Sequence, residues 1–385
     1  MKTLYLDQTG QLGGGEIALL PWLCHVRADA HVVLFEDGPF RALLEENGVP
    51  VEVLALNNLK QVRRESGALA LLRTLPALLS LRRRIAVLAA GYDLLYANSQ
   101  KAFLVAALAK RRGQPLVWHL RDILTAEHFS PVLRRVAVFF GNHYATRIVC
   151  NSQATADALI AAGGCRDKIV VVHDGVDAAL FDDPALTPAS LATLRAQIAP
   201  DGPVLVGLFG RLTPWKGQHI LLEAIATLPN VHAVLVGDAL FGEQVYVATL
   251  QARAAQPDLA GRVHFLGFRS DVPALMCAMD ILAHTSTAAE PFGLVIVEAM
   301  LARRPVIATA AGGALEIVLP NQTGILVAPG SIHDLHSALQ HLLANPAEAG
   351  RLAAAARARA EQRFSLAALF HGLSAALDSI ASTRP

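Results

Sequence analysis

The stretch Glu290-Pro291-Phe292-Gly293-Leu294-Val295-Ile296-Val297-Glu298 sets two carboxylates eight positions apart, with a bend and a glycine in front and an apolar run behind. Pro291 lacks a backbone donor and fixes φ, so the chain turns there. Gly293 lets the backbone come close to a ligand. From Leu294 to Ala302 the residues fit a buried helix. The amides of Phe292, Gly293 and Leu294 would then open towards an anion in front. Glu290 would lie at the mouth and Glu298 one turn inside. That geometry suits a polyhydroxylated, phosphorylated ligand. A proline-initiated core helix carrying two ordinary glutamates fits the same letters, so the surrounding chain decides.

Around it, strands alternate with helices. Strands are expected at Val204–Phe209, His232–Gly237, Val263–Leu266, Ile281–His284, Pro305–Thr309 and Gly324–Val327, with a helix over Gly217–Thr227. The first half repeats the grammar, with strands at Lys2–Asp7, His31–Glu36, Val51–Leu54, Leu94–Ala97, Pro115–Leu120, Arg147–Cys150 and Lys168–His173. Helices fall at Glu16–Cys24, Phe40–Asn47, Phe103–Lys110 and Gln153–Ala161. Such alternation predicts α/β architecture with parallel sheets covered on both faces. Val176–Pro203 breaks the rhythm with four prolines and reads as a connection plus one short helix. The expected organisation is a first Rossmann-like domain over 1–182, a linker over 183–202 and a second Rossmann-like domain over 203–365, facing each other across a cleft. The final helix, from 366, crosses back to the first domain. Ligands in such sheets sit at the carboxyl ends of the strands.

A length of 385 residues suits two domains, and 53% apolar residues supply two cores. Net charge is only +1, but the charges are segregated. Residues 60–147 hold fifteen Lys/Arg and four Asp/Glu; the remainder holds eighteen and twenty-eight. That asymmetry suggests an anionic partner for one lobe. Leu71–Ile85 is apolar with interspersed arginines, and Val136–Phe140 adds an apolar run beside Arg134 and Arg135. A basic amphipathic surface suits an anionic membrane face; ordinary core helices with solvated arginines are the alternative. No nucleic-acid motif accompanies the charge. The N-terminus lacks the features of a signal peptide, and no apolar run is long enough to span a bilayer. Cys24, Cys150, Cys165 and Cys277 lack metal-ligand or CxxC spacing and read as buried thiols of a reducing cytoplasm.

Four further motifs lie where strands end. Gly13-Gly14-Gly15-Glu16 follows the first strand and opens a helix, so the amides of Gly14 and Gly15 can approach phosphate oxygens. Gly13, Gly15 and Ala18 also fit GxGxxG/A, with Glu36-Asp37 where a ribose-binding acid would sit, which keeps a nicotinamide or flavin enzyme in play. Gly210-Arg211-Leu212-Thr213-Pro214-Trp215-Lys216-Gly217 closes a strand, offering a bidentate fork at Arg211 and a point charge at Lys216 that can converge on one diphosphate. Trp118-His119-Leu120-Arg121-Asp122 places His119 at another strand end. His173-Asp174-Gly175-Val176-Asp177 reads as a structural turn.

Taken in order, these pieces resemble the retaining nucleotide-sugar glycosyltransferases of family 4, with the GT-B fold. Leu235-Val236-Gly237-Asp238 and Phe265-Leu266-Gly267 add to the resemblance, and Glu290…Glu298 is similar to the family's E-x7-E signature. There are two departures: Asp174 stands where the family usually has Asn, and Gly15 where it usually has Ala. The resemblance implies that Arg211 and Lys216 bind the donor diphosphate and stabilise the leaving nucleotide, with amides of Gly14, Gly15 and Phe292 to Leu294 completing the cradle. It implies Glu290 on the donor sugar's hydroxyls, Glu298 on the ribose, His119 near the sugar's 6-hydroxyl and the Arg269 backbone on the base. The donor would be a UDP- or GDP-linked hexose, with Asp271 a hint of guanine. The acceptor would be a glycan or lipid-linked hydroxyl, in cell-surface polysaccharide or glycolipid synthesis. No cofactor and no metal are expected. The implied location is cytoplasmic, with a peripheral contact on the inner face of the membrane through 60–147. A dinucleotide oxidoreductase, a non-catalytic sugar-nucleotide binding protein and a GT-B epimerase are the competing readings.

Overall fold

A computed structural model describes residues 1–54, 68–126, 129–239 and 242–381, with the side chains of 68–78 left aside. Part of the basic stretch, namely 60–67, 127–128 and those side chains, lies outside the described residues. The chain divides into two compact units, 1–175 with 366–385, and 176–365.

The first unit runs β1 (Thr3–Asp7), α1 (Gly14–His25), β2 (Ala30–Leu34), α2 (Pro39–Glu46), β3 (Val51–Val53), α3 (Ala68–Ala89), β4 (Leu94–Ala97), α4 (Gln100–Ala109), β5 (Leu116–Leu120), α5 (Pro131–Tyr144), β6 (Arg147–Cys150), α6 (Gln153–Ala161) and β7 (Ile169–Val171). The second holds α7 (Pro188–Ile198), β8 (Val204–Phe209), α8 (Gln218–Ile225), β9 (Val231–Val236), α9 (Gln244–Ala254), β10 (Val263–Gly267), α10 (Val272–Ala278), β11 (Ile281–His284), α11 (Leu294–Leu301), β12 (Val306–Thr309), α12 (Ala314–Ile317), β13 (Ile325–Val327), α13 (Ile332–Ala344) and α14 (Pro346–Arg363). The last helix, α15 (Leu366–Ala381), returns to the first unit, where Leu369, Leu373 and Ile380 join the core around Tyr5, Trp22 and Leu34.

Both sheets are parallel. Among the described residues their orders are β3-β2-β1-β4-β5-β6-β7 and β10-β9-β8-β11-β12-β13. Each therefore reverses direction at one place, β1/β4 in the first and β8/β11 in the second. The crevice outside the carboxyl ends of such a strand pair is where open α/β sheets take ligands. Buried apolar clusters cover both faces of each sheet, as near-continuous runs such as Leu94–Ala97 and Val306–Ala308 require.

Residues 176–202, expected in part as a linker, cluster with the second unit. Helix α7 packs on α10, and Arg195 donates to Asp280 (2.8 Å) and the Ala278 carbonyl (2.6 Å). Buried Arg357 of α14 ties Asp182 to the Leu301 carbonyl. The proline run announced an irregular path, but not the packing of what lies between the prolines. Among the described residues no helix is long and apolar enough to cross a membrane.

Candidate active site

In the second unit the chemistry gathers at the β8/β11 crossover. Beyond β8, Gly210 turns the chain with φ +136°. Thr213 to Lys216 form one tight turn, which Gly217 ends with φ +72°. A Cβ on Gly217 would lie 2.0 Å from the Thr285 carbonyl oxygen, so only glycine fits both the angle and the space. The segment after β11 straps this turn. Thr285 Oγ1 donates to the Lys216 and Gly217 carbonyls, both at 2.9 Å, and the Thr287 amide donates to the Trp215 carbonyl at 2.7 Å.

That strap delivers Lys216 to Glu290. Nζ lies 2.6 Å from Glu290 Oε1, and both side chains are largely buried. The same oxygen meets His284 Nε2 at 2.8 Å and accepts from Ser286 Oγ. Thr309 Oγ1 approaches the other nitrogen of His284 at 3.3 Å. Burial would push the Glu290 carboxyl up, but the Lys216 charge and the His284 contact outweigh it and hold the group well below the usual carboxylate range. Glu290 is therefore a fixed anion. Lys216 keeps donors beyond the one on Glu290, since an ammonium has three. Its charge lies 4.6 Å from the Trp215 ring centre, and the Arg211 guanidinium lies 6.0 Å from the same ring. Arg211 also faces Glu243 at 3.6 Å.

Phe292 to Leu294 enter α11 as expected, with Gly293 at φ +113° as its N-cap. Glu298 sits in the second turn of that helix. Burial pushes its carboxyl up to about 7. The two glutamates of one stretch thus titrate in opposite directions. Arg269 and Asp271 lie together, guanidinium on carboxylate at 2.7 and 2.6 Å. That pairing occupies the side chain read as a hint of guanine.

In the first unit the β1/β4 crossover carries a second polar cluster. Asp7 ends β1 and Asn98 follows β4; Asn98 Nδ2 donates to Asp7 Oδ2 at 2.6 Å. Gly13 is the N-cap of α1, and its amide donates to Glu16 Oε2 at 3.0 Å. The Glu16 carboxylate thus occupies one amide of the loop, and Gly14 and Gly15 open α1. Burial raises Asp7 to about 6; burial and the Asp7 charge raise Glu16 to about 7. His119, in β5, is fully buried beside Arg121. Arg121 donates to Asp174 Oδ1 (2.6 Å) and Asn98 Oδ1 (2.8 Å). Both departures from the family pattern meet this arginine. Asp174 pairs with it, and a Cβ at position 15 would lie 3.2 Å from Arg121 Cδ.

The structure thus brings Lys216, Glu290 and Arg211 into one neighbourhood, and places His119, Gly14 and Gly15 in the other unit. The sequence reading missed His284, Ser286, Thr309, Tyr96, Asn98, Asp7 and Arg121. His284 carried the signal that singled out His119, a histidine ending a strand. Asp174, read as a turn former, is a buried ion-pair partner.

Known proteins share this architecture. Family models for group 1 glycosyl transferases and for a glycosyl transferase 4-like domain match residues 192–359 and 18–175. HepE from Anabaena, solved with UDP and glucose and with UDP-glucose, is 42% identical; the match covers 98% of this chain and 100% of that one at a TM-score of 0.88. The chain belongs to glycosyltransferase family 4. Its fold is GT-B. This glycosyltransferase is also 31% identical over 265 residues to the D-inositol 3-phosphate glycosyltransferase of Mycobacterium sp. (strain KMS), covering 66% of this chain and 59% of that enzyme's length. The sucrose-phosphate synthase of Thermosynechococcus elongatus shares the fold at 20% identity and a TM-score of 0.80. The family assignment weighs against the oxidoreductase reading of Gly13–Ala18.

Proposed function

We propose that this enzyme is a metal-independent, retaining hexosyltransferase that moves glucose from UDP-glucose to a hydroxyl of a glycan or lipid-linked acceptor. The observation that carries the reading is the Lys216–Glu290 pair, buttressed by His284 and Ser286, in a chain 42% identical to a protein crystallised with UDP-glucose. Departure of UDP builds negative charge, and fixed cations stabilise it without reorganising. Lys216 and Arg211 serve that role, helped by amides of Gly14, Gly15 and Phe292 to Leu294. Glu290, anionic at neutral pH, accepts from sugar hydroxyls, and Glu298 accepts from the ribose. His119 meets the sugar near its 6-hydroxyl, and the Arg269 backbone meets the base. A phosphate oxygen of the leaving group takes the acceptor proton.

The acceptor side rests on the basic lobe. On α5, Val132 and Phe139 stand 53% and 51% exposed, near exposed Arg135. That mixture suits a peripheral contact with an anionic membrane, on the cytoplasmic face, in polysaccharide or glycolipid synthesis. The test is UDP release from a panel of UDP- and GDP-sugars with a lipid-linked acceptor, with and without EDTA, and NMR of the product's anomeric proton. Preference for another donor, loss of turnover in EDTA, or inverted product would each overturn its part of the reading.

A further inference from the structure

His119 is approached at one ring nitrogen by two donors. Tyr96 Oη lies 2.6 Å from Nδ1, and Arg121 Nη2 lies 3.4 Å from the same atom. A guanidinium only donates. Burial pushes the Tyr96 phenol well above its ordinary range, so it too keeps a proton to give. A proton on Nδ1 would face the arginine N–H head on. Nδ1 therefore carries the lone pair, and the proton of the neutral ring belongs on Nε2. Burial, with the Arg121 charge second, holds the ring well below the usual histidine range, which excludes the cation. Nε2 is buried and has no hydrogen-bond partner among the described residues. Whatever meets that atom must accept a hydrogen bond.

The arginine is itself fixed. Asp174 and Asn98 hold it, Asn98 is held by Asp7, and Asn151 Nδ2 lies 3.3 Å from Asp174 Oδ2. Gly15 leaves the room that Arg121 Cδ fills. These contacts all lie within the first unit.

We propose that Tyr96 and Arg121 are positioning residues that lock His119 as the Nε2–H tautomer, making it a neutral hydrogen-bond donor to the 6-oxygen of the transferred sugar rather than a base. The choice of that oxygen rests on the hexosyltransferase reading; the tautomer does not. The lock explains why a tyrosine and an arginine converge on one nitrogen and leave the other bare.

The test uses the full chain labelled with 15N-histidine, with His119 assigned by comparison with His119→Gln. Long-range 1H–15N spectra are expected to show Nε2 protonated and Nδ1 bare, free and with UDP-glucose. Tyr96→Phe, which keeps the ring and removes one donor, is expected to populate the second tautomer. It should also lower kcat/KM for UDP-glucose about tenfold, the weight of one hydrogen bond. With UDP-6-deoxyglucose, wild type and Tyr96→Phe should turn over alike. A wild-type ring protonated on Nδ1, or on both nitrogens, overturns the lock whatever the activity. An undiminished gap with the 6-deoxy donor overturns the link to the sugar. If no nucleotide sugar is turned over, the transferase reading fails by itself, and the spectra still decide the tautomer.

Discussion

The two crossover clusters bury acids to a similar degree and treat them oppositely. At β8/β11, Glu290 takes Lys216, His284 and Ser286 on one oxygen and stays ionised. At β1/β4, Asp7 and Glu16 sit near each other, while the nearby cation, Arg121, is engaged by Asp174 and Asn98. Their carboxyls rise to about 6 and about 7. Burial therefore does not set the charge of a strand-end acid; the assignment of the nearest cation does. One cluster is a charged device with a cation in hand. The other has committed its arginine to orienting a histidine.

The comparison breaks most visibly at Lys216. Lys216→Ala leaves Glu290 buried against His284 and Ser286 without its lysine and removes the charge proposed to face the departing diphosphate. Transfer is expected to fall by roughly a hundredfold to a thousandfold, the range for losing a preorganised electrostatic group. Glu290→Ala should do the same while circular dichroism stays native. Full turnover in either variant would sink the assignment.

Next comes Arg121. Its partner Asp174 is 3% exposed at the side chain, so Arg121→Ala strands a carboxylate. About 3–5 kcal/mol of stability should be lost, read as denaturant midpoint, and Asp174→Asn in the same chain should return part of it. Additive losses would mean that the pair is not the source.

Glu298 sharpens the contrast within one stretch. Glu298→Ala should raise the UDP-glucose KM about tenfold with kcat nearly unchanged, as loss of uniform binding does, whereas Glu290→Ala should mainly slow turnover. The pH signature also differs. Glu298 is raised to about 7, so the folded chain holds a proton that the unfolded chain loses from the ordinary glutamate range upward. That makes stability fall as pH rises through that window. Glu298→Gln should flatten part of this slope, by about 1 kcal/mol or more between pH ~5 and ~8. For Glu290 the sign reverses: its contribution is present above the ordinary glutamate range and is lost on acidification. An unchanged melting profile for Glu298→Gln would show that its carboxyl ionises normally.

The smallest effect concerns the basic lobe. Phe139→Glu on α5 should weaken cosedimentation with anionic vesicles a fewfold and leave UDP release unchanged. Equal binding would detach α5 from the membrane proposal.

Much of this was legible in the letters. Strand periodicity located β1, β4, β6, β11 and the helix after Gly293 to within a residue or two, because fully buried parallel strands leave unbroken apolar runs. The motif spacing singled out Lys216 and Glu290, since both follow strand ends, and the structure sets them 2.6 Å apart. What stayed hidden were partners brought in by strand order. Tyr96 and His119 are 23 residues apart and meet because β4 and β5 are neighbours. Asp7 and Asn98 meet because the sheet reverses between β1 and β4. No local pattern encodes that adjacency. The packing of 176–202 was hidden for a different reason, since prolines report backbone restriction and not which surface the segment covers.

The tryptophans have a practical consequence. Of the three, Trp22 donates to Tyr5 at 2.9 Å and Trp118 stacks on Phe103 at 4.5 Å, both sealed in the core of the first unit. Trp215 alone lies on the turn with the two cations. Red-edge excitation should therefore select one indole, and an anion that draws Lys216 and Arg211 from its face should change that emission. Nucleotide binding at the proposed site would then be read from Trp215 emission, and Trp215→Phe would silence that signal.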